Sequence, residues 1–479
     1  MGPTVSGINT VMSKPFTMSS SGGSCSGIAR ARLFAVALLA PLCILPGAQA
    51  ADLLDIYDLA ANSDPTLRES EQTFYATRES KPQAQALLLP NFSLNGNVNY
   101  NNVKSQGGRT SLFGSANRND TYQTSGVGAV LSQSLYNRAS WVQLSQADNS
   151  INQAEAQYKA AQIDLMVRTT QAYFDVLRAN DAVRVQKALE TANARQLEQS
   201  QQRFEVGLVA ITDVNESQAA YDRSRANLIS AKNILDNRWE ALRRIVGPVS
   251  LPLARLGDKL PLAPPEPNDM DTWAETALSS NFNVIAARQA VEVARKEIEV
   301  QRSGYYPSVD VQAGYDLARS GAEYGQDTDS AYVGLNLTVP VYQGGAVASR
   351  TRQAGYNFRA AQDRFDQQRR AVLNDVKDAF RGILSSISDV KARQAAIVSA
   401  RSALESTQAG LEVGTRTQVD VLNAQQNLFQ AEYDYLSSRY DYIINGALLH
   451  QATSTLNRDV LAMGNAWLNK KDLVEPPSY

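Results

Sequence analysis

Residues 138–206 read RASWVQLSQADNSINQAEAQYKAAQIDLMVRTTQAYFDVLRANDAVRVQKALETANARQLEQSQQRFEV, 69 residues without a glycine or a proline. Both residue types punctuate a chain, glycine by its loose backbone and proline by its missing N–H. Their absence predicts one continuous helix, roughly 100 Å long at about 1.5 Å per residue. Globular helices usually end near about 20 residues, so this one points to a coiled-coil-like element. Gly207 interrupts it, and a second arm free of glycine and proline runs from Leu208 to Val246. A glycine there supplies the left-handed backbone of a sharp helix end. The expectation is a helical hairpin with its tip at Gly207. Within it Ile163, Met166, Thr170, Tyr173 and Leu177 keep helical spacing and read as a packing stripe.

The hairpin occurs twice. Glu205-Val206-Gly207 and Asp213-Val214 reappear as Glu412-Val413-Gly414 and Asp420-Val421, at a constant offset of 207 that also takes Gln218 to Gln425. The second hairpin is expected at Ala346 to Val413 and Thr415 to Asn445, with Gly355 and Gly382 marking bends or close packing. An internal repeat of this kind governs the whole fold.

Before each hairpin the periodicity changes from helical to two. Phe92, Leu94, Gly96, Val98 and Tyr100 alternate with asparagines and a serine from Asn91 to Asn101. A polar loop (Asn102 to Asp120) leads to a second strand, about 121–136, with Val127, Ala129, Leu131 and Leu135 on one face. In the second half Val309, Val311, Ala313, Tyr315 and Leu317 alternate with polar residues and glycine, and so do Val333, Leu335, Leu337, Val339 and Val341. Each pair of strands follows a helix, Pro65 to Leu87 capped by Asp64 in one half and Asn281 to Gly304 in the other. Those short helices, stacked end to end with the short hairpin arms, would match the long arms. A further short helix begins at Ala51.

The resulting layout is a first repeat at 51–259 (strands about 91–136, hairpin about 138–246), a Pro-rich linker at 260–267, a second repeat at 268–455 (strands about 308–342, hairpin about 346–445) and a C-terminal segment at 456–479. Residues 1–50 read as a secretory signal peptide. Lys14, Arg30 and Arg32 precede the apolar run Leu33 to Leu45, and Ala48-Gln49-Ala50 forms a small-residue cleavage site. A membrane anchor is the alternative, for which the run is short. Met12 or Met18 are alternative starts. Both cysteines, Cys25 and Cys43, lie in this leader, so the mature chain would hold no disulfide and no thiolate metal site. The leader takes three basic residues and no acidic ones, leaving a mature charge of −5, which offers nothing to nucleic acid. His450 is the single histidine, and no phosphate loop, zinc motif or nucleophile elbow is present. No enzyme and no cofactor are expected.

Strands of this length cross a bilayer when tilted, with apolar faces to lipid and polar faces to water. Phe92, Tyr100, Tyr136, Tyr305, Tyr306, Tyr332 and Tyr342 suit an interfacial aromatic girdle. Four strands cannot close a barrel, and open edges are not tolerated in lipid. Several chains would therefore share one barrel, with eight strands in a dimer or 12 in a trimer. A soluble four-stranded sheet with one wet face is the other reading of the same pattern.

The tip sequences at 203–214 (RFEVGLVAITDV) and 413–422 (VGTRTQVDVL) resemble the paired hairpin tips of the TolC family of outer-membrane efflux and type I secretion channels. The resemblance covers essentially the mature chain. It implies a trimer with a 12-strand transmembrane β-barrel on a long periplasmic α-helical barrel, girdled by an equatorial region built here from the N-terminal helix, the linker and the C-terminal segment. It implies partners as well: a periplasmic adaptor (membrane fusion) protein, an inner-membrane RND, ABC or MFS transporter, and outer-membrane lipid. Asp420 matches an acidic residue of the family's periplasmic constriction ring. The second ring position is Asn423, which halves the charge. Arg416 matches an arginine that latches the tunnel shut against the first hairpin, where Thr212 and Asp213 are its candidate partners. The family's tyrosine latch position is Leu411. Arg203, Val206, Gly207, Leu208, Val413, Gly414 and Thr415 resemble the adaptor-contact tips. A different class remains open, an exported coiled-coil scaffold or periplasmic adaptor without a pore.

Overall fold

The computed structural model describes residues 51–105, 118–248, 251–322 and 325–477. The expected leader, with both cysteines and the alternative start sites, lies outside the described residues.

Both long arms are single helices. Helix α4 (Arg138–Glu205) runs 68 residues to its tip and returns as α5 (Ile211–Val246); α8 (Ala346–Glu412) runs 67 and returns as α9 (Gln418–Ala452). The return arm α9 continues through Gly446 to Ala452, seven residues beyond the expected end at Asn445, because one glycine in a well-packed helix costs only about 1 kcal/mol. Gly382 faces Asn445 across the hairpin, where a Cβ would sit 3.2 Å from the Asn445 amide carbon; Gly355 meets open space.

Shorter helices complete each column. In the first repeat α1 (Leu53–Ser63) is followed by α2 (Pro65–Arg78) and α3 (Ser80–Ala86). The single helix expected from Pro65 to Leu87 is thus broken at Glu79. Pro82 has no N–H for the Arg78 carbonyl and crowds it, so the helix ends there and restarts. In the second repeat α6 (Met270–Ser280) precedes α7 (Phe282–Arg302). The columns are spliced end to end. Asn281 caps α7 with its Oδ1 while its Nδ2 donates to the Ala452 carbonyl at 2.8 Å, and Ser280 Oγ donates to the Thr453 carbonyl at 2.6 Å. The equivalent residue of the first repeat, Asp64, caps α2 and is held by Arg168 at 2.9 Å, and Gly247 ends α5 beside Ser63. Short helices therefore do complete the return path. The wall is four columns wide. Above the splice α2 and α3, α4, α7 and α8 pack in that order; below it the order is α5, α4, α9, α8.

One antiparallel sheet caps the columns: β1 (Asn91–Ser105), β2 (Arg118–Tyr136), β4 (Ser308–Ser320) and β5 (Thr328–Thr338), in the order β1-β2-β4-β5. Between β2 and β4 in the chain lies β3 (Leu253–Leu256), which belongs elsewhere. The polar loop between β1 and β2 is shorter than its composition predicts, since both strands extend into it. Register aligns whole rows across the sheet: Phe92, Leu131, Ala313 and Val333 in one, Leu94, Ala129, Tyr315 and Ala331 in the next. One face is thus apolar and exposed, with Leu94 72% and Val333 82% accessible. The opposite face carries Asn95, Asn97, Asp310, Gln312 and Asp316. Tyr332 belongs to this polar face, in the row of Ser93, Val130 and Gly314, so it is no part of an outward girdle. Its ring lies over Gly314, which has no side chain to displace it. Phe92, Tyr136, Tyr305, Tyr306 and Tyr342 gather at the helix end of the sheet and are exposed.

A second, small sheet girdles the middle. Strand β3 pairs with β6 (Leu468–Val474), and Ala51 bridges Leu253. The helix α10 (Arg458–Asn465) packs on α1. The linker has neither helix nor strand from 257 to 269, while α6, β3, α10 and β6 escape a reading by periodicity because each is short. The core sits at this level. Tyr173, Phe174, Leu177, Trp239 and Tyr440 are fully buried there, and the packing stripe on α4 is part of it. No helix among the described residues is long and apolar enough to cross a membrane.

Candidate functional site

The two tips have the same backbone. At the first, the Leu208 N–H donates to the Arg203 carbonyl at 2.8 Å and the Gly207 N–H to the Phe204 carbonyl at 2.9 Å. At the second, Thr415 donates to Gly410 at 2.8 Å and Gly414 to Leu411 at 3.2 Å. This six-to-one, five-to-two pair needs a left-handed residue at its centre, and Gly207 and Gly414 have φ of 75° and 78°. Around them Val206 and Leu208 are exposed at the first tip and Val413 at the second.

The chemistry of the tips differs. The second return helix begins with a reciprocal cap. Thr417 Oγ1 accepts from the Asp420 N–H at 3.2 Å, and Asp420 Oδ2 accepts from the Thr417 N–H at 2.9 Å. The bonds from Thr417 and the nearby charge of Arg416 hold the Asp420 carboxyl below its usual range. In the first hairpin Ala210 stands where Thr417 stands in the second, and no side chain caps α5. Asp213 and Thr212 occupy its first turn without that box.

Arg416 is exposed, and its backbone N–H donates to the Gly410 carbonyl at 3.1 Å. Among the described residues of one chain it forms no ion pair with Asp213 and no hydrogen bond with Thr212. Its charged neighbour within the chain is Asp420. Asn423 borders a polar cleft of about 280 Å³ between α4, α5 and α9, with Asn193, Arg223 and Gln426. Leu411, at the position of the expected tyrosine, is half-buried.

Above the tips a buried polar ladder ties the two hairpins together. Ser200 and Ser217 share a bond of 3.0 Å between α4 and α5, and Gln418 of α9 donates to Ser217 at 3.2 Å. Two turns higher, Gln425 donates to Asn193 at 3.1 Å, and Asn193 donates to the Ala220 carbonyl. Higher still the buried carboxylate of Asp181 accepts from Tyr440 at 2.6 Å and from Arg184 at 3.0 Å, with Arg255 of β3 at 4.0 Å. Burial and that carboxylate push the Tyr440 phenol well above its ordinary range. Gly410, Thr417, Gln418 and Asn193 are absent from a reading of the tip motifs alone. The Thr-x-x-Asp spacing at Thr417 and Asp420 is the one signal that marks a cap in advance.

His450 Nδ1 lies 2.9 Å from Thr455 Oγ1 and its ring stands edge-on to Trp273; burial lowers its pKa. No group of three or more metal-ligating side chains occurs among the described residues.

Known proteins share this arrangement. The model of a family described as outer membrane efflux protein matches residues 56–248 and 273–455. The chain is 38% identical over 424 residues to the outer membrane protein TolC of Vibrio cholerae, covering 88% of this chain and 94% of that protein. It is 28% identical over 403 residues to the alkaline protease secretion protein AprF of Pseudomonas aeruginosa, with 83% of each covered. Among solved structures, the Campylobacter jejuni CmeC outer membrane channel superposes with a TM-score of 0.71 over 84% of this chain and 85% of that one, at 16% identity, a likeness of fold.

Proposed function

The chain belongs to the outer membrane efflux protein family, and we propose that three copies of it close one transmembrane barrel above one periplasmic helical tunnel. It is an outer-membrane channel protein of the efflux and type I secretion kind, extending into the periplasm. One observation carries the trimer. The four-stranded sheet has an exposed apolar face and two unpaired edges, β1 and β5. Lipid does not tolerate unpaired backbone, so the edges must meet those of other copies. Two copies would give a narrow barrel filled by side chains, and three a 12-strand barrel with a water-filled bore. The polar sheet face, with Asn95, Asn97 and Asp316, would line that bore.

At the lower end the second tips converge. Three copies of Asp420 form a carboxylate ring that attracts cations, with Asn423 as its uncharged second tier. Arg416 reaches across to Asp213 and Thr212 of a first hairpin and holds the tips together. Such exposed pairs contribute about 0–1 kcal/mol each, weak enough for a partner to break. A periplasmic adaptor docks on the apolar tips at Val206, Gly207, Leu208, Val413, Gly414 and Thr415, beside Arg203. An RND, ABC or MFS transporter in the inner membrane supplies the energy. A scaffold or adaptor without a pore would need none of the lipid-facing strands.

Native mass spectrometry of protein extracted from membranes tests the assembly. A detergent-requiring trimer is expected; a monomer or dimer soluble without detergent would overturn it. Single-channel conductance tests the gate, and Arg416→Ser should raise it.

A further inference from the structure

We infer that Gly410 is a positioning residue that seats the Arg416 side chain on the end of α8 and so sets the latch; the inference rests on the gating role proposed above for Arg416. Gly410 stands three residues before the C-cap Val413, inside the last helical turn. Its carbonyl accepts from the N–H groups of Thr415 and Arg416 and from Thr415 Oγ1, at 2.8, 3.1 and 3.1 Å. Those three bonds fold the tip back over the helix. The Arg416 stem then lies where a Cβ of residue 410 would be. A Cβ built there would stand 2.6 Å from Arg416 Cγ, 3.2 Å from Thr415 Oγ1 and 3.3 Å from Arg416 Cβ. The colliding atoms are the root of the arginine, so moving the guanidinium alone does not clear them. Any side chain at 410 therefore displaces the arginine as a whole.

The repeat supplies an internal comparison. The first tip has the same backbone pattern, with Arg203 at the place of Gly410 and Val209 at the place of Arg416. The cation stands on the helix in the first tip and in the turn in the second. An arginine on the first tip sits on the helix, away from the turn, and is exposed there. Only the second tip has the bare helical surface that lets an arginine in the turn lie flat and point in one direction. The Gly410–Arg416 pair, rather than the Val-Gly turn that both tips share, distinguishes the latching hairpin from its repeat.

Backbone strain does not explain this glycine. Gly410 lies in the helix, and the residue with the left-handed backbone at this tip is Gly414. Alanine is the better helix former, so Gly410→Ala would leave the helix intact or strengthen it while unseating the arginine. Gly355, on the same helix with open space at its Cβ position, is the control for helix propensity alone.

The experiment measures single-channel conductance and open probability of the full-length assembly in planar bilayers, for Gly410→Ala, Gly355→Ala, Arg416→Ser and Gly410→Ala/Arg416→Ser. Gly410→Ala should shift the closed–open balance toward open by about two- to five-fold per protomer, the worth of one exposed pair. Gly355→Ala should behave as the parent, and the double variant should open no further than Arg416→Ser. Parental gating in Gly410→Ala beside an opened Arg416→Ser overturns the positioning role and leaves the latch standing. Parental gating in Arg416→Ser overturns the latch itself, and with it this role. Should Gly410→Ala fail to assemble, the double variant decides. Recovery of assembly assigns the defect to collision with the arginine; continued failure overturns the inference.

Discussion

The side-chain amide of Gln425 in α9 donates to Asn193 in α4 at 3.1 Å, and both groups are buried. That bond joins the return arm of the second hairpin to the descending arm of the first inside one chain. Truncating Gln425 to alanine would leave the Asn193 oxygen buried without a donor, at a cost of about 1–3 kcal/mol. Gln425→Ala should lower the thermal midpoint followed by circular dichroism. A midpoint equal to the parent's would remove the ladder from the forces holding α9 in place.

Asp420 offers a test of selectivity with a defined pH sense. Its cap bonds and Arg416 lower its carboxyl pKa from 3.8, so it stays ionised at a pH where an ordinary aspartate is half neutral. Reversal potentials in asymmetric salt should show a cation preference at neutral pH that fades as acid protonates this carboxylate. Asp420→Asn should weaken that preference at neutral pH. An unchanged reversal potential in the variant would take Asp420 out of the ring.

Thr417 should matter for shape rather than charge. Replacing it by valine deletes both bonds of its hydroxyl, the one accepted from the Asp420 N–H and the one donated to Asp420 Oδ2, and leaves its backbone N–H on that carboxylate; a capping side chain is worth about 0.5–2 kcal/mol. Amide hydrogen exchange should quicken over the first turn of α9 in Thr417→Val, with the α5 start as an uncapped internal reference. Equal protection in parent and variant would show the turn to be held by packing alone.

Acid should loosen the girdle through Asp52. Burial alone would raise its carboxyl pKa, but Asn465, the Lys470 ammonium at 2.7 Å and the Asp55 N–H outweigh it and hold the value at about 2. The folded value lies below the unfolded 3.8, so the stabilisation is present above that pH and lost as the pH falls toward 2. Its size is about 2 kcal/mol. Asp52→Asn should be less stable at neutral pH and lose less stability than the parent across the acid range in denaturant titrations. Parallel acid curves would exclude Asp52 as a source.

In the sheet, Gly314→Ala would bring a Cβ to 2.4 Å from the Tyr332 ring, a clash that the ring must move to relieve. The amount of assembled protein in outer-membrane fractions should fall, and Gly314→Ala/Tyr332→Ala should restore it. A double variant as depleted as the single one would mean that the ring is not the obstacle.

Long elements are legible in this sequence because their periodicity accumulates. Arg138 to Val206 offers no residue that could end a helix, and Asn91 to Asn101 alternates without error. Tip glycines are legible because a helix reversal needs a left-handed residue and the repeat displays it twice. The break at Glu79 is less visible, since Pro82 is tolerated in a first turn as readily as it ends a helix. The face of Tyr332 follows from strict alternation, yet aromatic content alone suggests lipid contact. Gly410 is hidden for another reason. Its importance comes from a side chain six residues on, which no local propensity reports.

The splice at Asn281 and Asp64 has a mechanical consequence. Of the four columns in the wall, α4 and α8 are unbroken rods from sheet to tip, while the other two are butted joints at one height. A torque applied to the tips is therefore carried upward by two rods only. The jointed columns can pivot at the girdle without stretching a helix.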